Sequence, residues 1–265
     1  MWEISPLFRC RENAMAMASS VKLFQVLELL CQGGPVKAMT LSRELGFNKS
    51  SIHRFLNTLM EMGYVVQDNE TGLYSASLKV YELGVQVKNR FGISKIAAPI
   101  LRRLQVEVNA AVNLGVLQNN EMLTLERFTP DDENVKIIVK AKLPAYCTAL
   151  GKILLAYLDE ESFERYMATT ELKAITRRTV TDPAEFRAMI AQIRNNGLAV
   201  DDRELDENIR SIATPVRDES GLVVAGLSIT AAATRLAGED LAEAQRKLYL
   251  ATDKLCTALG NTAES

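Results

Sequence analysis

Apolar residues recur at helical spacing along the first third of the chain. Val21, Phe24, Leu27 and Leu30 fall one turn apart, with Ser19 or Ser20 placed to cap the start and Gly33 just past the end. Thr40 is placed to cap a short second helix carrying Leu41 and Leu45, which Gly46 closes. Asn48 then opens a third helix. In it Ile52, Phe55, Leu56, Leu59 and Met60 follow the spacing of one buried face, and Gly63 ends the run. YVVQ and LYSA, separated by DNETG, read as strand, turn, strand. LKVYELGVQVKNRF is helical again and predicts a connecting element.

From Ile93 the pattern changes. ISKIAAPILRRLQVEVN is helical; AVNLGVLQ, EMLTLERF and VKIIVKAK read as strands. YCTALGKILLAYL is an apolar helix, EESFERYMA and PAEFRAMIAQIRNNG are amphipathic ones, and a last helix covers residues 239–259. SIATPVRD and LVVAGLSITA, joined by ESG, predict an antiparallel hairpin. Adjacent strands on short turns with helices grouped apart predict an α+β fold with a mainly antiparallel sheet.

At 265 residues, 48% hydrophobic and 24% charged, the chain is long enough for about two domains with real cores. Cys10, Cys31, Cys147 and Cys256 lie far apart, which suits reduced thiols better than disulfides or zinc, and His53 is the single histidine. No apolar run approaches the ~20 residues that cross a bilayer. A cytoplasmic protein with no cofactor, no metal and no membrane partner is expected.

The net charge of −2 hides a local concentration of cations and hydroxyls on the third helix. Opposite its apolar face stand Lys49, Ser50, His53, Arg54 and Asn57. A short helix turning tightly into a second helix of this kind, followed by a hairpin, predicts a winged helix-turn-helix whose second helix enters the major groove. With Thr40, Asn48 and Ser51 at the helix starts, these are the candidate DNA contacts. An isolated polar helix face is more often simply solvated; the order of elements favours DNA.

Several motifs in the same order resemble the IclR-type bacterial transcriptional regulators. LSRELGFNKSSIHRFLNTLMEMGYV is similar to that family's DNA-binding signature, and the likeness continues through YSASLKVYELG. LPAYCTALGKILLAYL, AVDDRELDENIRSIATPV and VVAGLSIT resemble three segments of its C-terminal domain. The resemblance implies a tail (1–18), a winged helix-turn-helix (19–77), a linker helix (78–92) and a GAF-like α/β effector-binding and oligomerisation domain (93–265). It also implies double-stranded operator DNA, a homodimer or homotetramer, contact with RNA polymerase, and a small effector such as an organic or sugar acid. The family's effector pocket maps onto Thr148, Ala149, Leu150, Gly151, Asp201, Ser211, Ser228 and Thr230. A helix start suits a carboxylate, and Ser228 and Thr230 alternate on one strand face. Two positions depart from the family pattern: Ser211 replaces a usual cysteine and Asn208 a common glycine.

Catalysis finds no support. TALGKILLA lacks the upstream glycine and the Ser or Thr of a phosphate loop, and no histidine remains for a C-terminal triad. DDRELDE reads as a solvated loop rather than a metal site. Cys147, at a helix start, would gain thiolate character, so a redox role stands as an alternative to a buried core residue. The competing function is a small-molecule or redox sensor whose winged helix binds protein rather than DNA.

Overall fold

The computed structural model describes residues 16–90, 92–130 and 142–261. The chain divides into two compact units between Lys88 and Asn89. The first holds α1 (Ala16–Gln32), α2 (Ala38–Leu45), α3 (Lys49–Glu61) and the antiparallel pair β1 (Val65–Gln67) and β2 (Tyr74–Ala76), and leads into α4 (Leu78–Arg90). Val26, Leu30, Leu41, Ile52, Phe55, Leu56, Leu59, Val65 and Tyr74 form its core. Gly46 takes the left-handed conformation (φ 68°) that lets α2 stop and turn into α3, and Ser42 Oγ donates to Phe47 O at 2.5 Å across that turn. Asn48 caps α3, its Oδ1 accepting from Ser51 N at 2.8 Å.

Three local expectations are corrected. α1 is already helical at Ala16, so Ser19 and Ser20 lie inside it rather than capping it. The stripe it buries is Leu23, Val26, Leu27 and Leu30, whereas Val21 and Phe24 remain exposed. Thr40 is the third residue of α2; Lys37 stands at the N-cap, without a side-chain bond. Residues 1–15, most of the expected tail, lie outside the described residues.

The second unit holds α5 (Gly92–Val108), β3 (Ala111–Gln118), β4 (Glu121–Phe128), β5 (Lys142–Pro144), α6 (Ala149–Ala156), α7 (Glu160–Thr169) and α8 (Pro183–Asn196). After these come β6 (Ala199–Asp202), β7 (Ile209–Arg217), β8 (Val223–Ala232) and α9 (Gly238–Ala258). The strands form one sheet in the order β5-β4-β3-β8-β7-β6, every neighbouring pair antiparallel. On one face α5 and α9 bury Leu101, Leu104, Leu248 and Leu255 against Val112, Leu114, Leu227 and Ile229. On the other, α6, α7 and α8 bury Ile153, Leu155, Phe163, Phe186 and Ile190. The architecture is the α+β class expected. The strand-like run 135–142 lies outside the described residues except for Lys142, and β6 falls where a solvated loop was expected.

Glycine lets α6 approach β3, β8 and the backbone of Ala145 closely. Gly115 and Gly226 are cross-strand partners on β3 and β8. A Cβ on Gly226 would come within 2.9 Å of Leu150 Cδ2, and one on Gly115 within 3.2 Å of Leu150 Cδ1. On α6 itself, a Cβ on Gly151 would overlap the backbone of Ala145. Backbone cannot swing aside as a leucine methyl can. Gly151→Ala is therefore expected to destabilise the second unit by ~3 kcal/mol or more, and Gly226→Ala by less. Urea denaturation of the two variants checks this, and equal losses would contradict it.

Candidate functional site

The candidate residues lie on two surfaces, one in each unit. In the first, α3 buries Ile52, Phe55, Leu56 and Leu59 and exposes Asn48, Lys49, Ser50, His53, Arg54 and Asn57. Ser51, tied into the cap, and Thr40, on α2, are half-buried. Arg54 lies over the Phe55 ring at 5.4 Å and reaches Ser19 Oγ at 3.4 Å. The hairpin is closed by Asp68, whose Oδ1 accepts from Thr71 N at 2.7 Å and Glu70 N at 3.0 Å; those bonds hold its carboxyl below the usual range. Lys79 Nζ donates to Met62 O at 2.6 Å and lies over the Tyr64 ring, tying the end of α3 to the start of α4.

In the second unit a cavity opens between the sheet and the start of α6. Thr148, Ala149 and Leu150 form one wall, and Asp201, Ser211, Ser228 and Thr230 lie on the sheet side. Thr148 is the N-cap of α6, its Oγ1 accepting from Gly151 N at 3.0 Å. The expected set thus comes together with one exception. Gly151 does not line the cavity; its N–H is spent on the cap and its missing side chain serves the approach to Ala145. Ser211 and Asp201 are register partners on β7 and β6, and Thr230 Oγ1 donates to Ser211 Oγ at 3.0 Å. Asn208, set just ahead of β7, accepts from Ala233 N through its carbonyl at 2.7 Å.

Sequence reasoning missed other lining residues: Asn113, Met122, Thr124, Arg127, Leu143 and the corner residues Leu205, Asp206 and Ile209. Asn113 and Ile209 sit in expected strands or beside them, but nothing in the spacing marks them as cavity-facing.

The acidic stretch splits by strand alternation. Asp202 turns outward and pairs with Arg178, Arg203 and Arg210, and the bonds from Arg203 and Arg210 lower its carboxyl to about 2. Asp201 turns inward, 2% exposed, and burial raises its carboxyl to about 7 despite the bond from Glu204 N at 2.8 Å. Glu204, also buried and raised by burial, pairs with Lys152, which is fully buried on α6 and donates to Val200 O as well. The expectation of a solvated loop is corrected. Cys147 is buried beside these groups, and burial pushes its thiol up to about 12, so the anticipated thiolate character at the helix start is absent. No helix among the described residues is long and apolar enough to cross a membrane.

Comparison with known proteins places these surfaces in context. The chain matches the IclR helix-turn-helix domain over residues 19–69 and the bacterial transcriptional regulator IclR C-terminal domain over residues 85–257. It is 30% identical to the HTH-type transcriptional regulator KdgR of Escherichia coli over 249 residues, covering 92% of this chain and 94% of that protein. It is 34% identical to the Pca regulon regulatory protein of Pseudomonas putida over 222 residues, 83% of this chain and 76% of that one. Among solved structures, an IclR homologue from Microbacterium hydrocarbonoxydans complexed with 4-hydroxybenzoate superposes with a TM-score of 0.78 at 24% identity, covering 92% and 98% of the two chains. That likeness concerns the fold.

The buried carboxyl of Asp201 gives stability a pH dependence of definite sign. Its folded-state pKa lies above the ordinary value, so its contribution is full below pH ~4 and is lost as pH rises through about 7. Asp201→Asn removes this loss while keeping an acceptor for Glu204 N. Between pH 5 and pH 8 the variant is expected to gain ~2–3 kcal/mol relative to the parent chain. Urea unfolding at both pH values measures it; a pH-independent difference would mean Asp201 stays ionised.

Proposed function

The chain belongs to the IclR family of bacterial transcriptional regulators, and from that premise we propose that α3 reads an operator while the cavity of the second unit holds the metabolite that regulates it. The observation that carries the reading is the division of α3 into a buried apolar face and an exposed face of Asn48, Lys49, Ser50, His53, Arg54 and Asn57. Thirteen residues make a helix of ~20 Å, enough to lie along a major groove. Arg54 forks onto guanine and Asn57 onto adenine. Lys49, Ser50, Ser51 and Thr40 hold phosphates, and the β1–β2 wing follows the backbone. Two copies set their α3 helices one duplex turn, ~34 Å, or a multiple apart, so the operator is roughly palindromic.

In the cavity, the first-turn N–H groups of α6 and the hydroxyls of Thr148, Ser211, Ser228 and Thr230 suit a small organic or sugar acid bearing hydroxyls, with Asp201 accepting from one of them. The relative solved with 4-hydroxybenzoate supports this ligand class. Binding shifts DNA occupancy only if the metabolite favours one of two arrangements, and α4, the covalent link to α5, is the lever we assign to that shift. Limits of 19–77 for the DNA-binding domain, 78–92 for the linker and 93–265 for the effector domain fit this division of labour.

Arg54→Ala is expected to cost ~1–3 kcal/mol on the specific operator and to relax sequence choice. Lys49→Ala should weaken all sequences alike and flatten the salt slope by about one unit. Fluorescence anisotropy on operator and scrambled duplexes separates the two; unchanged binding by both variants would remove α3 from the interface and favour a protein partner. For the cavity, Asp201→Ala and Ser228→Ala are expected to abolish the change in DNA affinity that a binding carboxylate produces. If both respond as the parent does, the cavity is not the effector site.

A further inference from the structure

The cavity floor is a row of polar side chains crossing the strands, and the direction of its hydrogen bonds is fixed from one end. Arg127 on β4 and Asn113 on β3 are register partners, and Arg127 Nε donates to Asn113 Oδ1 at 2.7 Å. Arg127 reaches this face because β4 is irregular. Leu114 pairs with Glu126 and Gly115 with Thr124, which leaves Leu125 without a register partner and reverses the alternation beyond it. A guanidinium N–H can only donate, so Asn113 is held with its oxygen toward β4 and its amide nitrogen toward β8. Only this bond from Arg127 matters here; its remaining nitrogens play no part.

Asn113 Nδ2 carries two hydrogens and has an acceptor for each, Ser228 Oγ at 3.3 Å and Thr230 Oγ1 at 3.4 Å, both on β8. Each hydroxyl therefore receives a hydrogen on its Asn113 side and must turn its own away. Thr230 gives its hydrogen to Ser211 Oγ on β7 at 3.0 Å. Whichever way that last bond runs, one of the three hydroxyl hydrogens is used inside the row and two are left, one of them on Ser228. Asn113, Ser211, Ser228 and Thr230 are all buried and all line the cavity. Asp201 on β6, the register partner of Ser211, ends the row with a carboxyl.

We infer that Asn113 is a specificity-determining residue of the effector site: it fixes the middle of the floor as a hydrogen-bond donor, so the effector must place a bare acceptor oxygen, of a carboxylate or a ketone, over Ser228 and its neighbours. This rests on the reading of the cavity as the effector site. Asn113 is a positioning residue, acting through the hydroxyls rather than through charge. The first-turn N–H groups of α6 on the facing wall are donors too, so the two walls ask for the same chemistry. A ligand O–H or N–H fits at the Asp201 end instead. A molecule that presents a donor to the middle of the floor sets hydrogen against hydrogen and leaves buried groups unpaired.

The test is isothermal titration of the full chain with three phenols of one shape: 4-hydroxybenzoate, 4-hydroxyacetophenone and 4-hydroxybenzamide. In the same two positions they carry two oxygens, an oxygen and a methyl, and an oxygen and an NH2. The carboxylate is expected to bind about tenfold or more tighter than the amide. Asn113→Asp keeps the shape but reverses the row, because a carboxylate there accepts from Arg127 and from both β8 hydroxyls, which then turn lone pairs to the cavity. The ketone and the amide are both neutral, so the added charge cancels from their ratio. The ketone-to-amide affinity ratio is expected to fall about tenfold or more in Asn113→Asp, whereas a merely structural role for Asn113 would weaken both alike. Should Asn113→Asp fail to fold, Asn113→Ala, which frees the hydroxyls to rotate, is expected to shrink the preference for carboxylate over amide. A ratio unmoved in Asn113→Asp, or a preference unmoved in Asn113→Ala, would overturn the assignment. So would a parent chain that binds the amide best or binds none of the three. Ser228→Ala separates this from failure of the wider reading. If it weakens the carboxylate while Asn113→Asp leaves the ratio alone, only the role of Asn113 falls; if it changes nothing in a parent chain that binds, the cavity itself is misassigned.

Discussion

The seat of α6 on the sheet is the constraint on which the second unit turns. Glycine at positions 115, 226 and 151 removes the side chains that would hold the helix away, so its first turn reaches the strands and forms the cavity wall. Lys152 then leaves the same helix in the other direction and holds Glu204 and the carbonyl of Val200. A buried ion pair gives little net stability over an apolar substitute, but removing one partner strands the other charge. Its value here is geometric, since it ties the wall at α6 to the β6–β7 corner that presents Asp201. Arg203 in that corner takes a left-handed conformation (φ 66°), a strained position for a side chain, and Thr176 Oγ1 secures its carbonyl at 2.7 Å.

Where local rules decide structure, the sequence was legible. The five apolar positions of α3 that face its core, the Asn48 cap, the Gly46 turn and the alternating Ser228 and Thr230 all follow from spacing and side-chain chemistry within a few residues. Where several local rules compete, it was less so. Ser19, Ser20 and Thr40 are good capping residues, yet helices continue through all three because a cap is only one small term among those placing a helix end. On α1 two apolar stripes of equal period coexist, and which one faces the core depends on where α3 and β2 lie.

The cavity shows the larger limit. DDRELDENIR looks like a solvated loop because carboxylates are seldom buried. Asp201 and Asp202 instead alternate with the pleat of β6, Asp202 outward to Arg178, Arg203 and Arg210 and Asp201 inward to the cavity. Lys152, in an apolar helix, gives no sign that its partner Glu204 lies 52 residues ahead. In EMLTLERF a one-residue irregularity at Leu125 is invisible in hydropathy, yet it reverses the faces of the residues after it.

The cavity floor is already hydrogen-bonded without a ligand: Arg127 to Asn113, Asn113 to both hydroxyls of β8, Thr230 to Ser211. An arriving molecule therefore exchanges one satisfied arrangement for another, and its polar groups contribute modest net affinity. Rejection is where such a floor acts most strongly. On the proposed reading of the cavity as the effector site, an analogue lacking a matching hydroxyl leaves the buried Asp201 unpaired, and a buried polar group left unpaired costs far more than a correct contact returns. A regulator needs that asymmetry more than tight binding, because a ligand that binds both arrangements of the protein equally shifts nothing however tightly it holds. The same row runs from β4 to β6, so a ligand held along it, as proposed, would bear on strands from both halves of the sheet at once.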